Sequence, residues 1–171
     1  MNNWFTTDQI DKTTYIISEY RHWEETHCYL LIGSERSLLI DTGLGICNIR
    51  QEITKLTNKP VSAVATHIHW DHIGGHEFFP DFYANEAELN WLNGEFPLTM
   101  DQIKEMVVDR CNSLEKISVL PVKKVFPAHH SLDIHPEILS RMRNAFRQLK
   151  KENKLKHGSG TFDYGDWAVW L

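Results

Sequence analysis

The stretch HIHWDH at residues 67–72 places three histidines and one aspartate within six residues, and a Gly-Gly pair follows one residue later. Neutral imidazole and carboxylate groups are ligands of zinc and similar divalent metals. Residues two apart on an extended chain point to the same face, so His67 and His69 can converge on one metal. Asp71 and His72 are neighbours, and a turn favoured by the glycines would direct both toward a nearby position. The stretch therefore predicts a metal site.

The sequence around this stretch supports the same prediction. Val61–Thr66 reads as a short, nearly wholly apolar strand bounded upstream by Pro60. A strand that is apolar on both faces is normally buried inside a sheet, and open α/β sheets carry their sites beyond the carboxyl ends of such strands. A lone histidine in a loop is usually solvated, but four ligand types at this spacing after a buried strand favour metal binding.

Composition bounds the class of protein. A chain of 171 residues with 42% hydrophobic and 24% charged residues fits one globular domain spanning 1–171. The net charge of −5 argues against a nucleic-acid partner. The sequence has no apolar run of about 20 residues, so a membrane partner is not expected. The first residues, MNNWFTTDQI, show no signal peptide, and three scattered cysteines without a CxxC pair fit a reduced, cytoplasmic protein. Of these cysteines, Cys111 is a further candidate ligand.

Hydrophobic periodicity predicts the remaining elements. Strands are expected at Thr14–Tyr20, His27–Gly33, Ser37–Asp41, Phe82–Ala84, Lys123–Phe126 and near the end around Trp167, Val169 and Leu171. The first three suggest an antiparallel meander. Helices are expected at Ile46–Thr57, Glu86–Trp91, Met100–Val108 and Pro136–Leu155. The last helix has a buried stripe made of Ile138, Met142, Ala145, Phe146 and Leu149, and its basic residues read as a solvated face.

Three segments together resemble the metallo-β-lactamase fold superfamily. The HxHxDH signature lies at 67–72, and Leu39–Gly43 (LIDTG) resembles the segment that precedes it in that family. Val125–His129 resembles the later v-x-PGH segment, with Ala128 in the glycine place. The segments occur in family order over nearly the whole chain. The resemblance implies an α/β fold, an α+β sandwich of αββα layering, that is truncated in its second half.

The resemblance also implies which residues bind metal. Such proteins usually hold two metals side by side, and the residues of this chain that match are His67 and His69 for the first metal and Asp71, His72 and His129 for the second. Asp41 would lie nearby and support a ligand or anchor a loop.

Two ligands that the family normally has are missing from this chain. They are a third histidine for the first metal, in a T-x-GH-type segment, and a bridging aspartate in a later GD-type segment. Between His76 and His129 there is no histidine and no GH or GD dipeptide. Asp101 and Asp109 fall in predicted helix. The simplest interpretation is an internal gap near Asp109–Asn112 that removes the first strands of the second half together with both ligands.

The missing ligands favour one metal, bound by Asp71, His72 and His129, over a full dinuclear centre. His76, His130 or a histidine from a second copy of the chain could complete the first site. A strand lost from a sheet leaves unpaired edges and exposed apolar surface, which a homodimer would cover.

The leading functional hypothesis is a metal-dependent hydrolase. Bound zinc lowers the pKa of its water to about 7, and the resulting hydroxide would cleave an ester, thioester, lactam or phosphoester of a small-molecule substrate. Asp71 would be catalytic by orienting that water and taking a proton. Zinc is the first expectation for the cofactor, with iron or manganese as alternatives. Three other hypotheses stay open: a metal-binding relic with little or no catalysis, an iron oxidoreductase, and a nuclease.

Overall fold

The computed structural model of the protein describes residues 4–92, 112–156 and 159–171. The strands are β1 (Thr6–Gln9), β2 (Thr14–Ser18), β3 (His27–Ile32), β4 (Ser37–Ile40), β5 (Val61–Val64), β6 (Phe82–Tyr83), β7 (Thr161–Asp163) and β8 (Ala168–Trp170). The α-helices are α1 (Ile49–Ile53), α2 (Trp70–Ile73), α3 (Leu89–Leu92) and α4 (Ile138–Lys151), with 3-10 turns at His76–Phe78 and Glu86–Glu88. Residues 112–117 are also helical.

The described residues form two compact units. The first contains 4–92 and 127–132, and the second contains 112–126, 133–156 and 159–171. That 1–171 is a single domain stays a prediction. The predicted helix Met100–Val108 lies outside the described residues, as does nearly all of the predicted gap near Asp109–Asn112.

The first unit is built on a six-stranded sheet in the order β1-β2-β3-β4-β5-β6. The pairs β1–β2, β2–β3 and β3–β4 are antiparallel, whereas the pairs β4–β5 and β5–β6 are parallel. The predicted mixed α/β fold, the meander and the interior position of β5 are therefore confirmed. Strand β1 was not predicted, because its sequence, TTDQ, is polar and mostly exposed and so has no apolar alternation to detect.

The core of this unit lies on one face of the sheet. Ile17, Leu30, Leu39 and Ala63 come from four successive strands, and each is 0% exposed. Helix α1 packs Ile49 and Ile53 onto the same cluster. It begins after an asparagine N-cap, Asn48, and is shorter than the predicted Ile46–Thr57.

In the second unit, α4 packs Ala145, Phe146 and Leu149 inward, and the last two contact Val169 of β8. Strands β7 and β8 pair antiparallel. The predicted helix Pro136–Leu155 is confirmed with shorter bounds. Its predicted stripe is buried at these three positions, and half-buried at Ile138 and Met142.

The strand predicted at Lys123–Phe126 is wrong, because these residues form no strand. Both lysines of this stretch are exposed, which leaves little apolar surface to bury. Pro121 and Pro127 flank the stretch and lack the backbone N–H that a ladder needs. None of the described helices is both long and apolar enough to cross a membrane.

Candidate metal centre

The candidate ligands gather at one edge of the sheet, beyond the carboxyl ends of β4 and β5. These two strands are parallel neighbours, so the residues that follow them emerge side by side. Asp41 directly follows β4, and His67 lies three residues beyond the end of β5. The chain then turns into α2, a single helical turn that carries Asp71 and His72. Both are buried, with 6% and 1% of their surfaces exposed.

Three ligand atoms meet at this edge. His72 Nε2 lies 3.1 Å from His129 Nε2, and each of these nitrogens lies 3.4 Å from Asp71 Oδ2. Ligand atoms about 2.0–2.1 Å from a tetrahedral zinc lie about 3.3–3.4 Å apart, so this triangle matches one face of a coordination tetrahedron. The donor set, two imidazoles and one carboxylate, is also one that zinc accepts. Asp71, His72 and His129 therefore fit a divalent cation.

The hydrogen bonds around the two imidazoles direct the correct nitrogens into the triangle. His72 Nδ1 donates to Asp41 Oδ2 at 2.8 Å, and His129 Nδ1 donates to the Glu24 carbonyl at 3.0 Å. In a neutral ring whose Nδ1 carries the proton, the Nε2 lone pair is free for a metal. Outer hydrogen bonds of this kind orient metal-binding histidines and make them better ligands.

Asp41 is held in place by several bonds. Its Oδ1 accepts from the Thr66 backbone N–H at 2.7 Å, and both of its oxygens lie within 3.0 Å of the Thr66 hydroxyl. Asp41 is 2% exposed and has a left-handed backbone conformation with φ of 60°. Few residue types adopt this conformation readily, and aspartate is one of them. On the other side, Thr42 donates both its N–H and its hydroxyl to the His72 carbonyl.

His67 and His69 form a separate pair beside the triangle. His67 Nε2 lies 3.1 Å from His69 Nδ1, and the His67 ring centroid is 4.0 Å from that of His72. Burial, followed by the neighbouring imidazoles of His72 and His69, lowers the pKa of His67 to about 4, so this ring is neutral near pH 7. His69 is exposed and stacks on Trp91 at 6.0 Å between ring centroids. Within the described residues, this pair has no third ligand that completes a group.

The other candidate ligands lie apart from the triangle. His76 Nδ1 donates to the Ile73 carbonyl at 2.6 Å, and His130 Nδ1 lies 3.4 Å from Glu25 Oε2. Of the residues that the structure describes, neither joins the three-ligand group. Cys111 lies outside the described residues.

Two glycines allow α2 to approach the loop after β4. A Cβ built on Gly74 would lie 2.3 Å from the backbone carbon of Leu44, which is too close for any side chain. Gly45 has φ of 74°, and a Cβ there would lie 2.3 Å from the Gly74 carbonyl oxygen. The Gly74 N–H donates to the Gly43 carbonyl at 2.8 Å across this contact. The close approach brings Asp41 beside His72.

Sequence reasoning missed two supports of this centre. The Glu24 carbonyl, which orients His129, is a backbone group and has no signature in the sequence. His27 is completely buried in β3 and contacts the chain next to His129. Burial lowers its pKa. A histidine within an otherwise apolar strand was the one signal available for it.

Comparisons with known proteins show what this chain is similar to. The model of the metallo-beta-lactamase superfamily matches residues 22–103, which include HIHWDH and the loop after β4. Over this segment, 82 of the 171 residues, the chain is similar to the metallo-beta-lactamase superfamily. The apparent truncation of the second half is consistent with the partial length of the match.

Two curated relatives carry the same name. Acyl-coenzyme A thioesterase MBLAC2 of Gallus gallus is 30% identical over 96 residues, which cover 50% of this chain and 35% of that protein. Acyl-coenzyme A thioesterase MBLAC2 of Homo sapiens is 29% identical over 103 residues, covering 52% and 37%. The matches thus span little more than a third of these relatives' own length. A solved metallo-beta-lactamase from Pontibacter korlensis is 27% identical with a TM-score of 0.45, covering 53% of this chain and 48% of that one.

Proposed function

We propose that the protein is a metal-dependent hydrolase whose metal is held by Asp71, His72 and His129. The observation that carries the proposal is the triangle of ligand atoms, with edges of 3.1, 3.4 and 3.4 Å. Three protein ligands leave one tetrahedral position open, which is the arrangement of catalytic rather than structural zinc sites. Zinc is the first candidate for the metal, and iron or manganese are the alternatives.

The residues of the triangle differ in exposure, and this gives the site a closed and an open side. The His72 side chain is 1% exposed and the Asp71 side chain 9%, whereas that of His129 is 28% exposed. Substrate and water would therefore enter beside His129. A divalent cation at such a site supplies Lewis acidity, which polarises a substrate carbonyl and makes water more acidic. Asp71 would orient the attacking water and accept a proton from it, since a carboxylate keeps further acceptor positions.

For the substrate class we propose small-molecule thioesters, with acyl-coenzyme A thioesters first. Support comes from the two relatives named acyl-coenzyme A thioesterase. Esters, lactams and phosphoesters are the other bonds open to the same chemistry. Neither a nucleic acid nor a membrane is needed as a partner.

A second candidate is a metal-binding protein with little or no catalysis. It is favoured by the His67–His69 pair, which has no third ligand among the residues described. A histidine from a second copy would complete the pair in a homodimer. Light scattering, with and without zinc, tests this arrangement.

The experiment that separates the two candidates combines metal content with turnover. The purified protein is analysed for metals and assayed with an acyl-coenzyme A, an aryl ester, a β-lactam and a phosphodiester. His72→Ala is the test variant. His135→Ala is the matched control, because the His135 side chain is 83% exposed and is not one of the candidate ligands. Turnover that His72→Ala abolishes and His135→Ala keeps supports the hydrolase. Bound metal without turnover of any substrate supports the non-catalytic candidate.

A further inference from the structure

His129 lies on a segment with little regular structure of its own. Residues 127–132 contain no helix or strand, and the one ladder contact in the segment is an isolated bridge between His129 and Thr26. A segment of this kind does not hold a side chain in place by itself. The position of His129 must therefore come from the residues that contact its backbone.

Those contacts come from β3 and the loop before it, and His27 makes two of them. The His27 backbone N–H donates to the Ala128 carbonyl at 2.8 Å, and His27 Nε2 lies 3.0 Å from the His130 carbonyl. One residue thus binds the carbonyl groups on both sides of His129. Tyr29 Oη adds a bond to the Pro127 carbonyl.

The His27 ring is oriented for this contact. A carbonyl oxygen only accepts, so the proton of the ring must be on Nε2. In the neutral ring Nδ1 then accepts from the Ser18 hydroxyl, which lies 2.9 Å away. His27 and Ser18 are both 0% exposed, so water cannot replace either bond. The sequence of bonds runs from the Ser18 hydroxyl through the imidazole to the His130 carbonyl.

The backbone at His130 has an uncommon conformation beside this contact. His130 has φ of 57°, in the left-handed region that few non-glycine residues adopt, although histidine is found there more often than most. Its N–H also faces the Glu25 carbonyl, at 3.4 Å. The residue next to the candidate ligand therefore has an uncommon backbone conformation, and His27 binds its carbonyl.

We propose that His27 is a positioning residue for the metal centre. By binding the carbonyl groups of Ala128 and His130, His27 holds His129 in the triangle with Asp71 and His72. The inference rests on the proposed metal site. A displacement of His129 Nε2 would break the tetrahedral spacing to His72 Nε2 and Asp71 Oδ2. Loss of such an outer support typically lowers metal affinity about 10–100-fold.

The test compares three variants of the full chain. His27→Leu removes both ring contacts, whereas His27→Gln keeps an N–H donor at the end of a side chain of similar length. Ile17→Val is the control. Ile17, on the neighbouring strand β2, is as buried as His27, but its side chain packs in the hydrophobic core cluster. The zinc affinity of each variant is measured by competition with a chelator. The affinity is also measured for His27→Leu combined with His129→Ala, and for His129→Ala by itself. Hydrogen–deuterium exchange of residues 127–132 is followed in the metal-free protein.

We expect His27→Leu to weaken zinc binding at least about tenfold and to speed exchange in 127–132, and His27→Gln to restore most of both. In the His129→Ala background, His27→Leu should change zinc affinity little further, because its effect acts through His129. Wild-type affinity and exchange in His27→Leu, or equal losses in Ile17→Val, would overturn the proposal. If the wild-type chain binds no zinc, the proposed function fails, and the exchange comparison alone decides whether His27 holds the segment.

Discussion

Asp41 Oδ2 lies 2.8 Å from His72 Nδ1, and both side chains are almost completely buried. This bond joins the loop after β4 to helix α2. It determines which nitrogen of His72 faces the metal site, because the proton shared with Asp41 must be on Nδ1. The LIDTG segment and the HIHWDH stretch are therefore parts of one unit, although His72 lies 31 positions after Asp41 in the sequence.

Asp41→Asn tests this bond without disturbing the backbone. Asparagine also tolerates the left-handed conformation that Asp41 adopts, so the change removes charge and acceptor strength rather than adding strain. We expect zinc affinity to fall about 10–100-fold, measured by chelator competition. Asp81→Asn, at an exposed position, is the control. An Asp41→Asn protein that binds zinc as tightly as the wild type would show that the bond does not prepare His72.

The two histidine groups should differ in their contribution to metal binding. His72→Ala removes a corner of the triangle, whereas His69→Ala removes one member of a pair that has no third described ligand. We expect His72→Ala to abolish tight zinc binding and His69→Ala to leave about one zinc per chain. Elemental analysis after dialysis gives the count. Equal loss of zinc in both variants would argue for a joint dinuclear centre instead.

The buried Glu19 predicts a pH dependence of stability. Burial raises its pKa above the ordinary value of 4.5, although the Leu44 N–H and Trp4 Nε1 donate to its oxygens and oppose the shift. The folded state therefore holds this proton more tightly than the unfolded state. The stability due to Glu19 is full below about pH 4.5 and is lost as the pH rises through the folded pKa.

Glu19→Gln removes this titration. The free energy of unfolding of the wild type, relative to that of Glu19→Gln, should fall as the pH rises from about 4 to about 7. Denaturant titrations across this range measure it. Glutamine also has one hydrogen-bond acceptor fewer than glutamate, which changes the free energy of unfolding by the same amount at every pH. Glu77→Gln, on the exposed 3-10 turn, is the control. A difference between wild type and Glu19→Gln that does not vary with pH would contradict the prediction.

Gly74→Ala tests the close approach of α2 to the loop after β4. Gly74 has a helical φ of −56°, so alanine is conformationally acceptable, and what opposes it is contact with the backbone of Leu44 and Gly45. We expect a loss of about 1–3 kcal/mol in the free energy of unfolding, since backbone atoms cannot move aside as side chains do. Thermal or denaturant unfolding measures it, with Glu77→Ala as the neutral comparison. Unchanged stability would mean that the two segments separate at little cost.

The parts of the fold that sequence could predict are those with local apolar patterns. Strands β2 to β5 and helix α4 each contain a run or a periodic repeat of apolar residues that can be recognised in the sequence. Strand β1 is polar, and its existence depends on pairing with β2 rather than on its own sequence. Lys123–Phe126 shows the opposite case, in which a short β-favouring run forms no strand, since both of its lysines are exposed and prolines lie close on either side.

The residues of the site also divide into those that the sequence could identify and those that it could not. Asp71 and His72 are neighbours in a motif, so sequence could name them together. His129 is 57 residues from His72, and only the family resemblance linked them. The Glu24 carbonyl and the two carbonyls bound by His27 are backbone groups, and no residue type marks such contacts. Long-range backbone contacts of this kind become visible only in three dimensions.

X-ray absorption spectroscopy of the zinc-loaded protein tests the central claim most directly, because it reports the atoms bound to the metal. We predict nitrogen and oxygen ligands at about 2.0–2.1 Å, with a histidine contribution that decreases in His72→Ala and in His129→Ala. The same contribution should persist in His76→Ala, whose ring faces the Ile73 carbonyl. A zinc spectrum that none of these variants changes, or a wild-type chain that retains no zinc, would contradict the account.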